Sequence, residues 1–284
     1  MGEIDVLRVP GWNLEWLRHG FSTRMGGESA AYGGKTLNLG WTKEDDPKAV
    51  ASNRTRFVAG LARDSSGGAP MRLVTIRQVH SGTVRVIRSG DGALEGALET
   101  SEGKAVLEGD GLVTEIPGVL IAVGTADCVP VLVVDAAKRV VGAFHAGWRG
   151  TAAKIVEHGI AAIEREYGSH PQDLMAAIGP SIGACCYVVG DEVHRAFDAE
   201  FAYSAGLFRE APESTDGKRQ YYVDLWTANQ RQLLDAGVAP QRITVLDECT
   251  ACTRDSAGER RYFSHRAEQG VAGRMLNAIG VAPG

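Results

Sequence analysis

His80 at the end of MRLVTIRQVH, Cys128 in GTADCVP and His145 in RVVGAFHAG have the most chemistry to offer. Two imidazoles and a thiolate make a good zinc set. Three protein ligands leave a fourth position for water or substrate, so such a centre would be catalytic rather than structural. The three residues match no short metal motif, which leaves two other readings open. One is a pair of satisfied, half-buried histidines beside a small core cysteine. The other is a thiol hydrolase with Cys128 as nucleophile, His145 as base, and Asp127 or Asp110 orienting the imidazole.

Two further segments suit an anion. HAGWRGT, from His145 to Thr151, passes through two glycines into a helix, whose free N–H groups and Arg149 could receive phosphate. It is not a P-loop, because G-x-x-x-x-G-K-[ST] is absent. FSTRMGGES places Arg24 ahead of a glycine pair, where a cation could reach a phosphate or carboxylate. An ordinary glycine-rich turn is the competing reading at both places. Cys249 and Cys252 form one C-x-x-C, and Cys185 and Cys186 are adjacent. A structural zinc would be expected to need two C-x-x-C units, and neighbouring cysteines suit one tetrahedron badly, so both pairs read as packing or second-site thiols. His19, His158, His170 and His194 read as surface or capping residues, while His265 stands beside Arg266 in FSHR.

The elements that must position these residues are mixed. Met71 to Val79 alternates like a strand, and Leu112–Thr114, Val119–Val123, Val131–Asp135 and Arg139–Phe144 read as further, largely buried strands. From Thr151 the period changes. Ile155, Val156, Ile160, Ile163 and Tyr167 mark an amphipathic helix that stops near Gly168, and a second helix reads from Leu225 to Ala236. Asp64–Pro70, Ser89–Gly111 and Ser204–Lys218 read as loops. The expected fold is α+β, with mixed β-sheets packed together and flanked by helices, in a single domain over residues 1–284.

Composition narrows the function. The apolar share is 44% and the charged share 23%, which excludes disordered and fibrous chains. A net charge of −5 argues against nucleic acid and against anionic membranes as partners. There is no apolar segment long enough for an export signal or a membrane span, and five cysteines do not complete a disulfide framework, so a reducing cytoplasmic setting is expected. The 36 glycines are nearly twice the usual usage of roughly 7% and point to tight turns beside a ligand.

Taken together, FSTRMGG, LNLG, RQVH, DGLVT, TADCVPVLVVD, AFHAGWRGT, IGPSIGACCY, the DL and AN pairs at 224–225 and 228–229, and FSHR resemble the YfiH/YlmD family, often labelled laccase-domain or polyphenol oxidase. The resemblance implies a YfiH-like fold with zinc, or copper, on His80, Cys128 and His145. It implies phosphorolysis of adenosine, inosine and methylthioadenosine, adenosine deamination as a further activity, and Arg24, Asn38, Arg149 and Arg266 as substrate-binding residues. Nucleoside and phosphate would be the partners of a monomer or weak homodimer. One departure is visible: Val188 stands where the family's CYEVG has glutamate. The laccase label fits poorly, since multicopper oxidases use H-x-H pairs and none of the seven histidines forms one. The zinc deaminase signature also fails, because Glu248 rather than proline precedes Cys249.

Overall fold

The computed structural model describes residues 4–62 and 71–283. Two sheets lie at its centre. The first runs through Val6–Leu7, Leu17–Ser22, Met275–Val281, Val119–Thr125 and Arg72–Thr75, antiparallel except for the last pair. The second runs through Ile243–Val245, Met175–Ile178, Val129–Asp135, Val140–Ala146, Gly111–Thr114 and Val84–Ile87, antiparallel inside and parallel at both edges. A smaller antiparallel sheet joins Val188–Gly190, Gln220–Val223 and Phe208–Ala211.

The apolar runs are continuous because both faces of the central strands are covered. Ile121 and Val123 point between the two sheets toward Leu132, Val134 and Val141. Leu120 and Ala122 point the other way, beneath Phe57 and Leu61 of the Pro47–Ala62 helix. On the far side of the second sheet, Val131, Val133 and Phe144 meet Ile155, Val156, Ile160 and Ile163 of the Ile155–Tyr167 helix. Phe197 of Asp191–Glu200 and Leu233 of Leu225–Asp235 complete that core. The layers are therefore helix, sheet, sheet, helices, in agreement with the expected α+β arrangement.

Several elements differ from the sequence reading. The strand expected over Met71–Val79 pairs only from Arg72 to Thr75, after which the chain leaves the first sheet to reach the second. The helix expected from Thr151 begins at Trp148, breaks at Lys154 in the left-handed region (φ 55°), and resumes at Ile155 to end on Gly168, also left-handed. Ser204–Lys218 holds a 3-10 turn at Ser204–Leu207 and the strand Phe208–Ala211. The loop at Asp64–Pro70 lies outside the described residues. Among the described residues, no helix is long and apolar enough to cross a membrane.

Candidate active site

Two chain segments cross from the first sheet to the second at the same end, and each carries one of the chemical residues. Ala126–Cys128 links Val119–Thr125 to Val129–Asp135, and Ile76–Thr83 links Arg72–Thr75 to Val84–Ile87. Gln78 ties the crossings together: its Nε2 donates to Gly124 O (2.8 Å), and Gly124 N donates to its Oε1 (2.7 Å). His145 comes from the end of Val140–Ala146, where it sits opposite Pro130 in the antiparallel ladder. The ligand atoms of His80, Cys128 and His145 all lie within 4.8 Å of one another, and the two imidazole rings meet edge to face at 5.0 Å. The three residues are thus brought together, although His80 sits in the crossing loop rather than at a strand end.

The loops are held in uncommon conformations. His80 has φ 60° and Asp127 φ 92°, both left-handed for a residue with a Cβ. Such strain persists only where the surroundings over-determine it, and it gathers at functional sites. Asp110, fully buried, does this for His80. Its carboxylate accepts from His80 N (3.0 Å), Ser81 N (2.6 Å), Ser81 Oγ (2.8 Å) and His145 Nδ1 (2.8 Å). Asp127 is held by Thr250 Oγ1 (2.7 Å) and Arg266 N (2.7 Å), both donating to its carboxylate. Of the two aspartates that could orient His145, the structure selects Asp110. Gly147 is required by close approach, because a Cβ there would stand 2.8 Å from Cys128 Sγ and 3.2 Å from His80 Cδ2.

The electrostatics favour a thiolate. Burial would raise the Cys128 thiol, but His145 and His80 beside it outweigh burial and hold its pKa well below the usual value. Burial would lower that of His145, yet Cys128 and Asp110 push it up. Burial likewise opposes ionisation of Asp110, and hydrogen bonds from His145 and Ser81 overcome it, to about 2. A thiolate and two imidazoles converging on one point, with the second nitrogen of one ring fixed by a carboxylate, fit a zinc or copper centre with room for an exogenous ligand.

These residues form part of the wall of a cavity of about 740 Å³. Arg54, Arg77, Lys104, Arg149, Arg266 and Arg274 line it, against a single lining carboxylate among the described residues, Asp127. The cavity is therefore cationic in a chain of net charge −5. Trp41, Trp148 and Tyr187 supply aromatic surface.

Of the four expected substrate-binding residues, two reach this cavity. Arg149 lines it with its guanidinium 4.2 Å from the centroid of Trp148. Arg266 lines it too, donating from Nη1 to Val188 O (2.7 Å) and lying 5.2 Å from the Tyr187 ring. Because that bond uses the backbone of Val188, it does not depend on the side chain that replaces the family's glutamate. Arg24 is not among the lining residues. It pairs with Glu268 (3.1 Å), donates to Tyr32 O and sits over Phe263. Asn38 is fully buried and folds its own loop, with Nδ2 donating to Asp45 (2.7 Å) and Oδ1 accepting from Gly40 N and Arg274 N. The helix that opens after Gly147 has five residues, too few for the dipole expected of it, so Arg149 alone carries the anion reading there.

Two expectations about other residues change, for His19 and for the cysteine pairs, and His265 gains a place. His19 is buried and accepts from Val9 N (3.0 Å). His265 lines the cavity. Cys185, Cys186, Cys249 and Cys252, expected to be separate packing thiols, converge in a second cluster with all four sulfurs within 4.8 Å of one another. Arg54 was missed by the sequence reading. It follows Val50 and precedes Phe57 and Leu61 on the buried stripe of its helix, and a charged residue interrupting that stripe was the available signal. Its guanidinium donates to Leu39 O (3.1 Å) and Thr75 Oγ1 (3.3 Å), no described carboxylate pairs with it, and burial lowers its pKa to about 10.

Residues 18–282 match a family described as multi-copper polyphenol oxidoreductase laccase. The purine nucleoside phosphorylase YlmD of Geobacillus stearothermophilus is 36% identical over 93% of this chain and 94% of its own. A purine nucleoside phosphorylase of Deinococcus radiodurans is 36% identical over 98% of this chain and 93% of its own. A protein named adenosine deaminase RL5, from an unknown prokaryotic organism, is 35% identical over 91% and 92%. The crystal structure of YfiH from Bacillus licheniformis superposes with a TM-score of 0.82 at 31% identity, covering 99% of this chain and 100% of that one.

Proposed function

The chain belongs to the family described as multi-copper polyphenol oxidoreductase laccase, together with YfiH and YlmD. On that premise we propose that it is a purine nucleoside phosphorylase acting on adenosine, inosine and S-methyl-5′-thioadenosine, with adenosine deamination as a further activity. The observation that carries the reading is the cationic cavity built against the His80–Cys128–His145 cluster. A redox role on copper has less support, because no H-x-H pair is present to build a trinuclear centre.

In this reading Arg54, Arg149 and Arg266 neutralise phosphate and aim one of its oxygens at C1′. The phosphate oxygen bonds to C1′ as the C1′–N9 bond breaks. The electron pair of that bond leaves on the purine, which takes up a proton, and the products are the free base and ribose 1-phosphate, or 5-methylthioribose 1-phosphate from methylthioadenosine. Charge on the bound phosphate stabilises the oxocarbenium-like sugar between them. Tyr187, whose pKa is raised by burial, stays protonated at neutral pH and can donate a hydrogen bond to the base. Zinc on His80, Cys128 and His145 would supply Lewis-acid polarisation of a substrate atom.

Chromatography of adenosine, inosine and methylthioadenosine incubated with and without phosphate tests this directly. Phosphate-dependent release of free base is the expected result, and no turnover of any of the three under either condition would remove the reading. One observation favours a second reading: Cys128, His145 and Asp110 stand in the order of a thiol hydrolase triad. Protein purified without metal whose Cys128 is alkylated rapidly by iodoacetamide, and which cleaves amides but not nucleosides, would support the hydrolase instead.

A further inference from the structure

The second cysteine cluster is assembled from two turns. Cys185 and Cys186 lie in a helical turn closed by Cys186 N and Tyr187 N, which donate to Gly183 O at 2.9 and 3.0 Å. Cys249 and Cys252 lie in another, closed by Cys252 N and Thr253 N, which donate to Cys249 O at 3.3 and 2.9 Å. A bridge between Ser181 and Cys249 fastens the turns together: Ser181 N donates to Glu248 O (3.2 Å) and Thr250 N to Ser181 O (3.1 Å).

Two measurements distinguish a metal site from a disulfide. Cys185 Sγ and Cys252 Sγ are 3.7 Å apart, and all four sulfurs fall within 4.8 Å of one another. A disulfide would bring two of them to about 2.05 Å. A tetrahedron with zinc–sulfur bonds of about 2.3 Å has sulfur–sulfur edges of about 3.8 Å. Gly183 N also donates to Cys249 Sγ (3.3 Å), the kind of amide support that a metal-bound thiolate receives from its surroundings. The C-x-x-C turn provides two ligands on its own. The vicinal pair provides two more because successive side chains of a helical turn splay around its axis yet both face the neighbouring turn.

We propose that Cys185, Cys186, Cys249 and Cys252 bind one zinc ion in a closed, four-thiolate structural site, separate from the His80–Cys128–His145 cluster. Four protein ligands leave no open position, so this site braces rather than reacts. What it braces is the cavity wall beside Cys128. Ile182 N, three residues before Cys185, donates to Asp127 O (2.8 Å), and Thr250, between Cys249 and Cys252, bonds the Asp127 carboxylate.

The test counts metal in the full-length protein purified under reducing, anaerobic conditions, alongside Cys128→Ser and Cys185→Ser/Cys252→Ser. The expected result is two equivalents of zinc in the wild type and one in each variant. After exchange with cobalt, the Cys128→Ser protein should keep the intense tetrahedral visible spectrum and strong charge-transfer band of four thiolates, whereas the double variant should keep only the weaker band of the single Cys128 thiolate. The double variant should also melt at a lower temperature. The cobalt spectrum of Cys128→Ser decides the matter even if the double variant fails to fold. A single equivalent in the wild type that vanishes in Cys128→Ser, or a Cys185–Cys252 or Cys185–Cys186 disulfide in the mass spectrum of the anaerobic protein, overturns the proposal.

Discussion

Asp110 holds both His80 and His145, through the backbone of one and the Nδ1 of the other. Replacing such a carboxylate behind a metal-binding imidazole typically lowers metal affinity by roughly 10- to 100-fold. Asp110→Asn should show that loss in a competitive chelator titration, and unchanged affinity would mean that the backbone bonds to His80 matter more than the bond to His145. The same carboxylate sets a pH window. Its folded pKa, about 2, lies below the ordinary aspartate value of about 3.9, so its contribution is complete above the latter and fades as pH falls toward about 2. Urea denaturation at pH 7 and pH 3 should therefore find a stability gap between wild type and Asp110→Asn that shrinks on acidification; a gap that widens would contradict the sign. Gly147 acts through what it lacks. Gly147→Ala places a Cβ against Cys128 Sγ and His80, in a backbone conformation (φ −67°) that alanine accepts. Displacement of a reacting centre by about 1 Å can cost on the order of 100-fold in rate. Nucleoside turnover in that variant should fall by at least roughly tenfold while the melting temperature stays close to wild type.

Between elements, one close fit is Gly159 of the Ile155–Tyr167 helix over the Phe144 ring of the Val140–Ala146 strand, where a Cβ would come within 2.3 Å of the ring. Two effects oppose each other in Gly159→Ala. Helix propensity favours alanine by about 1 kcal/mol, whereas overpacking a close-packed core costs about 1–3 kcal/mol. Both Phe144 and Gly159 are buried and the strand cannot retreat, so the substitution should destabilise in urea titration, and adding Phe144→Leu should restore part of the loss. A stabilised single variant would show the interface to be looser than its geometry. This interface was partly legible in the sequence: the valine runs of the second sheet and the Ile155–Ile163 stripe are strong periodic signals. Leu17–Ser22 and Met275–Val281 were not, because LRHGFS and MLNAIGV carry polar residues and glycines that only their antiparallel partners across the first sheet accommodate. His80, Cys128 and His145 were visible by residue type, but their meeting depends on two sheet crossings that no local pattern encodes.

Across the whole molecule, the site depends on packing two sheets so that both crossings fall at one end, with the Pro47–Ala62 helix on the outer face of the first sheet contributing Arg54. The cations of the cavity come from segments spread between residues 54 and 274, which is why a sequence of net charge −5 gave no sign of a basic site. Arg54 tests whether that charge serves phosphate. A partly buried guanidinium with no carboxylate partner among the described residues opposes folding through desolvation, and an apolar residue of similar length in its place is often neutral or stabilising. A charged hydrogen bond to a substrate is worth about 1.5–3 kcal/mol, or roughly 10- to 150-fold in binding. If Arg54 holds phosphate, Arg54→Met should leave the melting temperature unchanged or raised, while KM for phosphate rises by roughly that factor and KM for the nucleoside moves little. The increase in KM with added salt should also be shallower in the variant, since one cation fewer is there to be screened. A variant that melts early and keeps its phosphate KM would instead make Arg54 a brace between the Pro47–Ala62 helix, Leu39 and Thr75.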